Sequence, residues 1–253
     1  MSLEDWKALQ QRRCEDLAWA ARFRRACPVP GARDEDYLQK REGELLCGIR
    51  FRGGRVDQPF VDLLEGPVDA SSLERALQLY AVFGAQRVRV RQLAEPSVPG
   101  WEPEVDQWLL AGRPSGGGLE LEPVRDLDEA VLFVGEGFAA WAHRLPWFEE
   151  RVLPITREQL AASQAWWIPC QGQRAGLIAI QRGEERQWSG QIVMEELVLP
   201  AFSGRGLAAR AQRSLPLEGE LLIGWIDGVN AASLRTAEKA GRRREDAFWW
   251  VQR

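Results

Sequence analysis

A strand, a glycine loop and a helix follow one another without interruption in the segment EELVLPAFSGRGLAARAQRSL, residues 195–215. The apolar run ends at Pro200, glycines stand at positions 204 and 206, and an Ala- and Arg-rich segment with helical spacing begins at once. Proline and glycine interrupt regular structure, whereas alanine and arginine favour helices. Because strands joined to helices by short loops are typical of α/β proteins, this junction predicts that fold class.

Strand and helix patterns alternate around this junction from residue 119 onwards. The predicted order is β-α-α-β-β-β-α-β-α-β, and three of the helices are expected to begin after Asp126, Thr156 and Asn230, which are preferred N-cap residues. Gly241 is expected to cap the end of the last helix. We therefore predict an α/β (α+β) domain with a mixed central sheet flanked by helices over residues 119–253.

The glycine-rich segment AGRPSGGG, residues 111–118, separates this domain from a smaller one. Proline and three consecutive glycines do not hold regular structure, which predicts an N-terminal α/β domain at 1–112, a linker at 113–118 and a second domain at 119–253. The N-terminal domain shows a β-β-α-β pattern without a glycine loop. It is either a degenerate repeat of the second domain or an instance of an order that is common in α/β proteins.

Composition and charge argue against several classes of function. The chain of 253 residues has a net charge of −4 and no long block of like charge, so we expect no nucleic-acid partner. The four cysteines lack CxxC spacing and the single histidine, His143, has no suitably spaced partners, so no metal is expected. No apolar run approaches a membrane span and no signal peptide is evident, so we expect a cytoplasmic protein without a membrane partner.

The glycine loop is a candidate anion site. Gly204 and Gly206 allow a ligand to approach the backbone, and Arg205 and Arg210 add positive charge at a helix N-terminus. The loop lacks the GK[ST] of a Walker loop and the G-x-G-x-x-G of a dinucleotide fold. A plain strand-to-helix turn is therefore an equally valid interpretation of the loop alone.

Residues 198–208, VLPAFSGRGLA, resemble the coenzyme A loop of the GNAT acetyltransferases, which reads V-x-P, two residues, then R/Q-x-x-G-x-G/A. Five residues fall within this pattern: Val198, Pro200, Gly204, Gly206 and Ala208. Ser203 stands where the family usually has Arg or Gln. Downstream, NAASLRTAEKAG, residues 230–241, resembles the family's later helix, N-x-x-S/A-x-x-x-x-E-K-x-G. The resemblance covers roughly residues 119–253.

This resemblance implies a GNAT-type fold in which two parallel strands, MEELVL and LIGWID, splay apart and hold acetyl-CoA between them. The pyrophosphate is then expected on the backbone amides of residues 203–208, and the thioester carbonyl on the amide of Val198. Asn230 either holds the pantetheine arm or simply caps its helix. The residues implied in binding acetyl-CoA are Val198, Leu199, Ser203, Gly204, Arg205, Gly206, Leu207, Ala208 and Asn230. Residues 119–253 are expected to bind it alone.

An N-acetyltransferase must remove a proton from the acceptor amine, since only a neutral amine attacks a carbonyl carbon. Glu195 and Glu196 are the candidate bases, and with the amide of Val198 they form the predicted catalytic group. Successive strand residues face opposite sides, so one carboxylate is expected to face the cleft and the other to be turned away. The family often has a tyrosine in the later helix to protonate the thiolate, whereas Ala237 stands here. We therefore expect no acidic side chain in that role.

The acceptor is expected to bind beside the first helix and the last strand, where aromatic faces and carboxylates suit a cationic amine. The predicted residues are Trp141, Trp147, Phe148, Glu149 and Trp249. Core packing is the alternative explanation for these tryptophans. The sequence thus predicts acetyl transfer from acetyl-CoA to a small-molecule, peptide or protein amine. Non-catalytic sensing of acyl-CoA is the alternative, and an oligomer is compatible with either function.

Overall fold

The structure, a computed structural model, describes residues 39–51, 58–185 and 187–253. Contacts divide the chain into two units. The first comprises the residues up to Asp106 together with Ala247–Arg253, and the second comprises Gln107–Asp246. The division therefore comes ahead of the glycine-rich segment, which belongs to the second unit. Two long strands, β5 (Glu102–Gly112) and β11 (Arg242–Gln252), each begin in one unit and end in the other.

The described part of the first unit is a sheet with one long helix. Its elements are β1 (Gln39–Glu42), β2 (Leu45–Phe51), β3 (Pro59–Glu65), α1 (Ala70–Leu79), β4 (Arg87–Arg91) and the end of β11. β1, β2 and β3 pair antiparallel, β3 and β4 pair parallel, and the end of β11 pairs antiparallel with β4. The two paired strands predicted before the helix, the helix and the strand after it are thus confirmed.

The second unit has a mixed sheet with helices on both faces. Its elements are the end of β5, β6 (Glu122–Pro123), α2 (Leu127–Ala142), α3 (Phe148–Arg151), α4 (Arg157–Ala161), β7 (Gln164–Cys170), β8 (Gln173–Glu185), β9 (Trp188–Val198), α5 (Leu207–Ser214), β10 (Leu221–Asp227), α6 (Ala231–Lys239) and the start of β11. The strand order is β5-β10-β9-β8-β7-β6. Only β9 and β10 pair parallel among these neighbours.

Local sequence signals located the helix starts correctly. The Asp126 carboxylate accepts hydrogen bonds from two amides of the first turn of α2, Thr156 forms a capping box with Gln159, and Asn230 caps α6. The end of α6 differs from the prediction by one position, because Ala240 is the C-cap and Gly241 follows it with φ +98°. Glycine is favoured there because other residues rarely adopt a positive φ.

Three elements differ from the predicted order. The pattern did not predict β5, whose first half is charged and contains Pro103, because its apolar end becomes a strand only beside β10. The short helix α3 was not predicted either. The alternation in LELEPV predicted a longer strand, but only Glu122–Pro123 pairs, with β7.

The two units share one topology, which supports the interpretation of the first as a degenerate repeat. In the first unit, β1, β2 and β3 pair antiparallel, α1 follows, β4 pairs parallel with β3, and β11 pairs antiparallel with β4. In the second, β7, β8 and β9 pair antiparallel, α5 follows, β10 pairs parallel with β9, and β5 pairs antiparallel with β10. The helix starts differ, however. Asp69 caps α1 by accepting hydrogen bonds from the Ser72 amide and the Ser71 hydroxyl, both at 2.8 Å, and these bonds lower its pKa. A carboxylate therefore already occupies that helix N-terminus.

β9 lies between two apolar layers of the second unit. On one face, Leu197 packs with residues of α2 and α4 such as Val134 and Leu160. On the other, Ile178 of β8 and Val198 pack with Leu207 and its neighbours on α5. Consecutive residues of β9 therefore reach different helices. In the described ranges, no helix has the length and apolar character that a membrane span requires.

Leu110 tests whether β5 is part of the second unit. Its side chain is fully buried beside Leu234 and Ala237 of α6, although it lies outside residues 119–253. Leu110→Ala should lower the free energy of unfolding by about 2–5 kcal/mol through a cavity in this group, measured by urea denaturation of the full chain. Leu93→Ala is the control, since Leu93 is 49% exposed and should change stability little. Equal stabilities of the two variants would contradict this role for β5.

Candidate functional site

A cleft opens where β9 and β10 stop pairing. Their parallel register contains only three pairs, ending at Ile223 with Ile192, although both strands continue beyond. Next to this point a β-bulge at Met194 places an extra residue in β9 opposite β8, and such bulges bend a strand. The two strands expected to splay apart are therefore the ones that do. The resulting cavity has a volume of about 330 Å³.

The glycine loop lies at one end of this cavity. Gly204 and Gly206 have φ values of +76° and +68°, in the left-handed region that favours glycine. Gly206 is the N-cap of α5 and provides no side-chain hydrogen bond to the first turn of that helix. A Cβ built on either glycine would meet nothing within 4 Å. The amides at the start of α5 thus face open space, which makes them available to an anion.

The backbone N–H of Val198 points into the cavity. The Leu199 amide donates to the Ala175 carbonyl of β8 at 2.9 Å, so the neighbouring pair, Val198 and Gly176, is a non-hydrogen-bonded pair of the antiparallel ladder. The N–H and C=O of Val198 therefore point away from β8. The carbonyl accepts a hydrogen bond from the indole N–H of Trp141 at 2.8 Å, and the N–H faces the space left by β10.

Glu195 is a buried carboxyl at the middle of the cleft. Its side chain is 8% exposed and accepts hydrogen bonds from the backbone amides of Ile155, at 3.2 Å, and Glu196, at 3.0 Å. Burial raises its pKa from 4.5 to about 7, although both amides and their hydrogen bonds act in the opposite direction. A carboxyl with a pKa close to neutrality can take up and release protons at pH about 7.

Glu196 reaches the opposite face of β9. It lies 2.5 Å from Gln212 Nε2 on α5. Burial raises the pKa of Glu196, while the charge of Arg242 and the hydrogen bond to Gln212 oppose that rise. The expected alternation along the strand is confirmed, but both carboxyls line the cavity, because β9 has already parted from β10 where they lie. Neither is turned away from the cleft.

A second cavity of about 240 Å³ continues on the other side of the two glutamates. It shares Glu195 and Glu196 with the first cavity. Arg151 of α3 and Asp227, the last residue of β10, form an ion pair of 3.1 Å in its wall. Its lining is therefore largely polar, unlike the aromatic wall of the first cavity. Neither residue of the ion pair was among the predicted site residues. The one sequence signal that could have identified Asp227 is its place at the end of a strand that was expected to splay.

Most of the predicted site residues lie together in the first cavity. These are Glu195, Glu196, Val198, Ser203, Gly204, Arg205, Gly206, Leu207, Ala208, Asn230, Trp141 and Phe148. The Ser203 hydroxyl donates to the Pro200 carbonyl at 2.8 Å. Asn230 lines the cavity and accepts from the Ser233 amide at 3.1 Å. Its role as a cap is confirmed, and its contact with a pantetheine arm stays a prediction.

Four predicted residues lie outside the two cavities. Leu199 packs with the apolar group beneath α2. Trp147 contacts the ring of Phe148 at a centroid distance of 5.7 Å, and Glu149 is exposed. Trp249 is buried in the first unit, where its indole N–H donates to the Gln92 carbonyl at 3.0 Å. For Trp249, core packing is the role that its surroundings support.

Helix α6 contributes residues that sequence reasoning missed. Ser233, Arg235, Thr236 and Lys239 line the first cavity, and helical spacing from Asn230 was the signal that could have identified this face. Ala237, by contrast, is completely buried against Leu110, so position 237 faces the sheet. Among the residues that the structure describes, no group of His, Cys, Asp or Glu side chains is arranged to hold a metal ion.

No family model matches this sequence, and no curated protein sequence matches it. Among solved structures, the GCN5-related N-acetyltransferase from Sphaerobacter thermophilus has a TM-score of 0.50 at 16% identity, covering 83% of this chain and 76% of that chain. A GNAT-family acetyltransferase from Colwellia psychrerythraea has a TM-score of 0.49 at 10% identity, covering 86% and 84%. The likeness to the Sphaerobacter thermophilus structure shows that this chain has the GNAT fold. Because it covers 83% of the chain, the likeness to the Sphaerobacter thermophilus structure extends beyond residues 119–253 and includes part of the first unit.

The raised pKa of Glu195 predicts a pH dependence of stability. A carboxyl that keeps its proton longer when folded stabilises the protein fully below pH 4.5, and this contribution is lost as the pH rises to about 7. The loss should be about 3 kcal/mol. We expect the free energy of unfolding of Glu195→Gln to lack this part of the decline between pH 4.5 and about 7, measured by urea denaturation at a series of pH values. Glu149→Gln, at an exposed site, should decline like the parent, and an unchanged decline in Glu195→Gln would contradict the shift.

Proposed function

We propose that this chain transfers an acetyl or short acyl group from acyl-CoA to a primary amine in the cleft between β9 and β10. One observation carries the proposal. A single cavity contains both an uncapped helix N-terminus and a buried carboxyl whose pKa is close to neutrality. The first suits a pyrophosphate and the second suits proton removal from an amine, and perturbed carboxyls of this kind are typical of catalytic sites.

The proposed donor site runs from the glycine loop to Val198. The amides of residues 204–208 hold the pyrophosphate, with Arg205, Arg235 and Lys239 providing positive charge at the cavity wall. The amide of Ser203, which was expected to contribute, instead donates to the Pro200 carbonyl at 3.3 Å. Phe138 and Trp141 supply an apolar wall for the chain that carries the thioester. The thioester carbonyl then accepts from the Val198 amide, which stabilises negative charge on that oxygen in the transition state.

The acceptor enters through the polar cavity beside Arg151 and Asp227. Glu195 removes a proton from its ammonium group, and the neutral nitrogen attacks the thioester carbon. The C–N bond forms, the C–S bond breaks, the thiolate departs, and the nitrogen releases its second proton to water to leave a neutral amide. The polar lining favours an acceptor with groups that hydrogen-bond or carry charge. A small-molecule amine and the terminal amine of a peptide both meet this requirement.

Glu195→Gln tests catalysis separately from binding. Gln preserves the shape and removes the basicity, so thiol release from acetyl-CoA with a panel of amines should fall by about 10²–10⁴-fold. Affinity for CoA, measured by calorimetric titration, should remain.

The position of Ser203 favours one rival, a non-catalytic acyl-CoA sensor, because its hydroxyl bonds within the loop. Tight CoA binding by the parent without thiol release for any amine would support that rival.

The glycine loop can be tested with a matched control. Gly206→Val places a side chain in the open space before α5 and should weaken CoA binding by at least tenfold. Gly219→Val is the control, because Gly219 also has a positive φ, of +84°, and an equally open Cβ direction. Both variants carry similar backbone strain, so only the ligand contact differs. Equal CoA affinities in titration calorimetry would remove the loop from the site.

A further inference from the structure

The amide of Gln212 lies in the protein interior with only one of its two ends paired. Gln212 is 1% exposed, and its Nε2 lies 2.5 Å from a carboxyl oxygen of Glu196. Its Oε1 is buried and has no hydrogen-bond partner among the residues described. Hydrogen bonds from N–H to oxygen are usually about 2.7–3.2 Å long, whereas O–H to oxygen bonds extend down to about 2.5 Å. N–H donors also reach carboxylates at 2.5–2.6 Å elsewhere in this structure, at Arg41 with Glu65 and at Gln191 with Glu220, so the orientation of this amide is argued from its unpartnered oxygen.

The opposite orientation of the amide gives this oxygen a partner. The two ends of a glutamine amide have nearly the same shape, so exchanging them keeps the packing. The carbonyl of Gln212 then faces Glu196 and accepts the proton of a neutral carboxylic acid. No unpaired carbonyl oxygen remains in the interior, where such a group is costly.

The nearest positive charge does not require Glu196 to be ionised. Arg242 is 3% exposed and donates to the Leu110 carbonyl at 3.0 and 3.3 Å and to the Gly224 carbonyl at 3.1 Å. Within the described ranges no ion pair of 4.0 Å or less joins Arg242 to Glu196. The charged groups around Glu196 are Glu195 on its own strand, Arg242 on β11, Arg151 and Asp227, which pair with each other at 3.1 Å, and Arg205, Arg235 and Lys239 across the cavity. The last three are exposed, so water screens them.

We propose that Glu196 is a neutral carboxylic acid held by Gln212, and that it protonates the thiolate released in the acyl transfer. This inference rests on the proposed function. When the C–S bond breaks, its electrons go to sulfur, which takes the proton of Glu196 to form a thiol. Rotation about the last side-chain torsion, which is broad and two-fold, brings the hydroxyl from Gln212 to the cavity. Glu195 already holds the first proton of the amine, the second passes from the amide nitrogen to water, and exchange with water resets both carboxyls.

The proposal supplies an acid that the later helix lacks. Ala237 carries no proton and faces the sheet, whereas Glu196 lines the cavity directly before Leu197 and Val198. The two glutamates then have different roles because their partners differ. Two amides stabilise the ionised form of Glu195, and a carbonyl stabilises the neutral form of Glu196.

Infrared spectroscopy of the full chain tests the protonation state without any reaction. At pH about 8.5 the carboxyl of Glu195 is mostly ionised, given its pKa of about 7. The parent and Glu195→Gln should then both show the C=O stretch of a buried carboxylic acid, shifted in D₂O. Glu196→Gln should lack this band. Absence of the band from Glu195→Gln would overturn the proposal, and its persistence in Glu196→Gln would assign it to another residue.

The pH profile of acyl transfer tests the role as proton donor. The kcat/KM of the parent should rise as Glu195 ionises and fall as Glu196 loses its proton. Glu196→Gln should lose the fall at high pH and about 10²-fold in kcat, with CoA affinity kept. Gln212→Leu should move that fall to lower pH. A fall that persists unchanged in Glu196→Gln would overturn the donor role. An infrared band without acyl transfer to any amine would overturn the proposed function but leave the protonation state standing.

Discussion

The parting of β9 from β10 is the constraint on which the rest of the second unit depends. Parallel strands normally share a continuous ladder of hydrogen bonds, but here the ladder ends after three pairs and a bulge bends one strand. Backbone groups near the gap must then find other partners, since unpaired buried groups are costly. The indole N–H of Trp141 donates to the Val198 carbonyl, and the carboxyl of Glu195 accepts from the Glu196 amide. The Val198 N–H is left facing the cavity.

The two units use the same strand-to-helix crossover with opposite electrostatic consequences. In the first, Asp69 places a carboxylate on the amides that begin α1, so the favourable position for an anion is filled from within. In the second, Gly206 begins α5 without any side-chain cap, and the same kind of position stays open. A repeated topology therefore contains one helix N-terminus suited to an external anion and one that is not, because the N-cap is a glycine in the former and an aspartate in the latter.

Buried carboxyls in the cleft reduce the stability of this unit at neutral pH. Removing an ionised carboxyl from water is unfavourable unless hydrogen bonds compensate, and burial raises the pKa of both Glu195 and Glu196. Hydrophobic residues at these positions would pack the gap better. Their presence where the strands part fits a general pattern, in which groups with perturbed pKa values cluster at functional sites.

Much of this architecture could be predicted from local sequence patterns. The caps at Asp126, Thr156 and Asn230 and the strands of the second half follow from residue types and spacing, because capping and side-chain alternation act within a few residues. The glycine loop and the two glutamates were identified for the same reason. Strand β5 and the ion pair of Arg151 with Asp227 were not, since both depend on segments far apart in the chain.

The sequence by itself determined that Glu195 and Glu196 face opposite sides of a strand, because strand side chains alternate with a period of two. Only the tertiary structure decided that both reach the cavity, and that one meets backbone amides while the other meets Gln212. It also decided that position 237 faces the sheet and that Trp249 packs in the other unit. The physical reason is that the end of a parallel ladder is set by non-local pairing, and no local pattern encodes where that pairing stops.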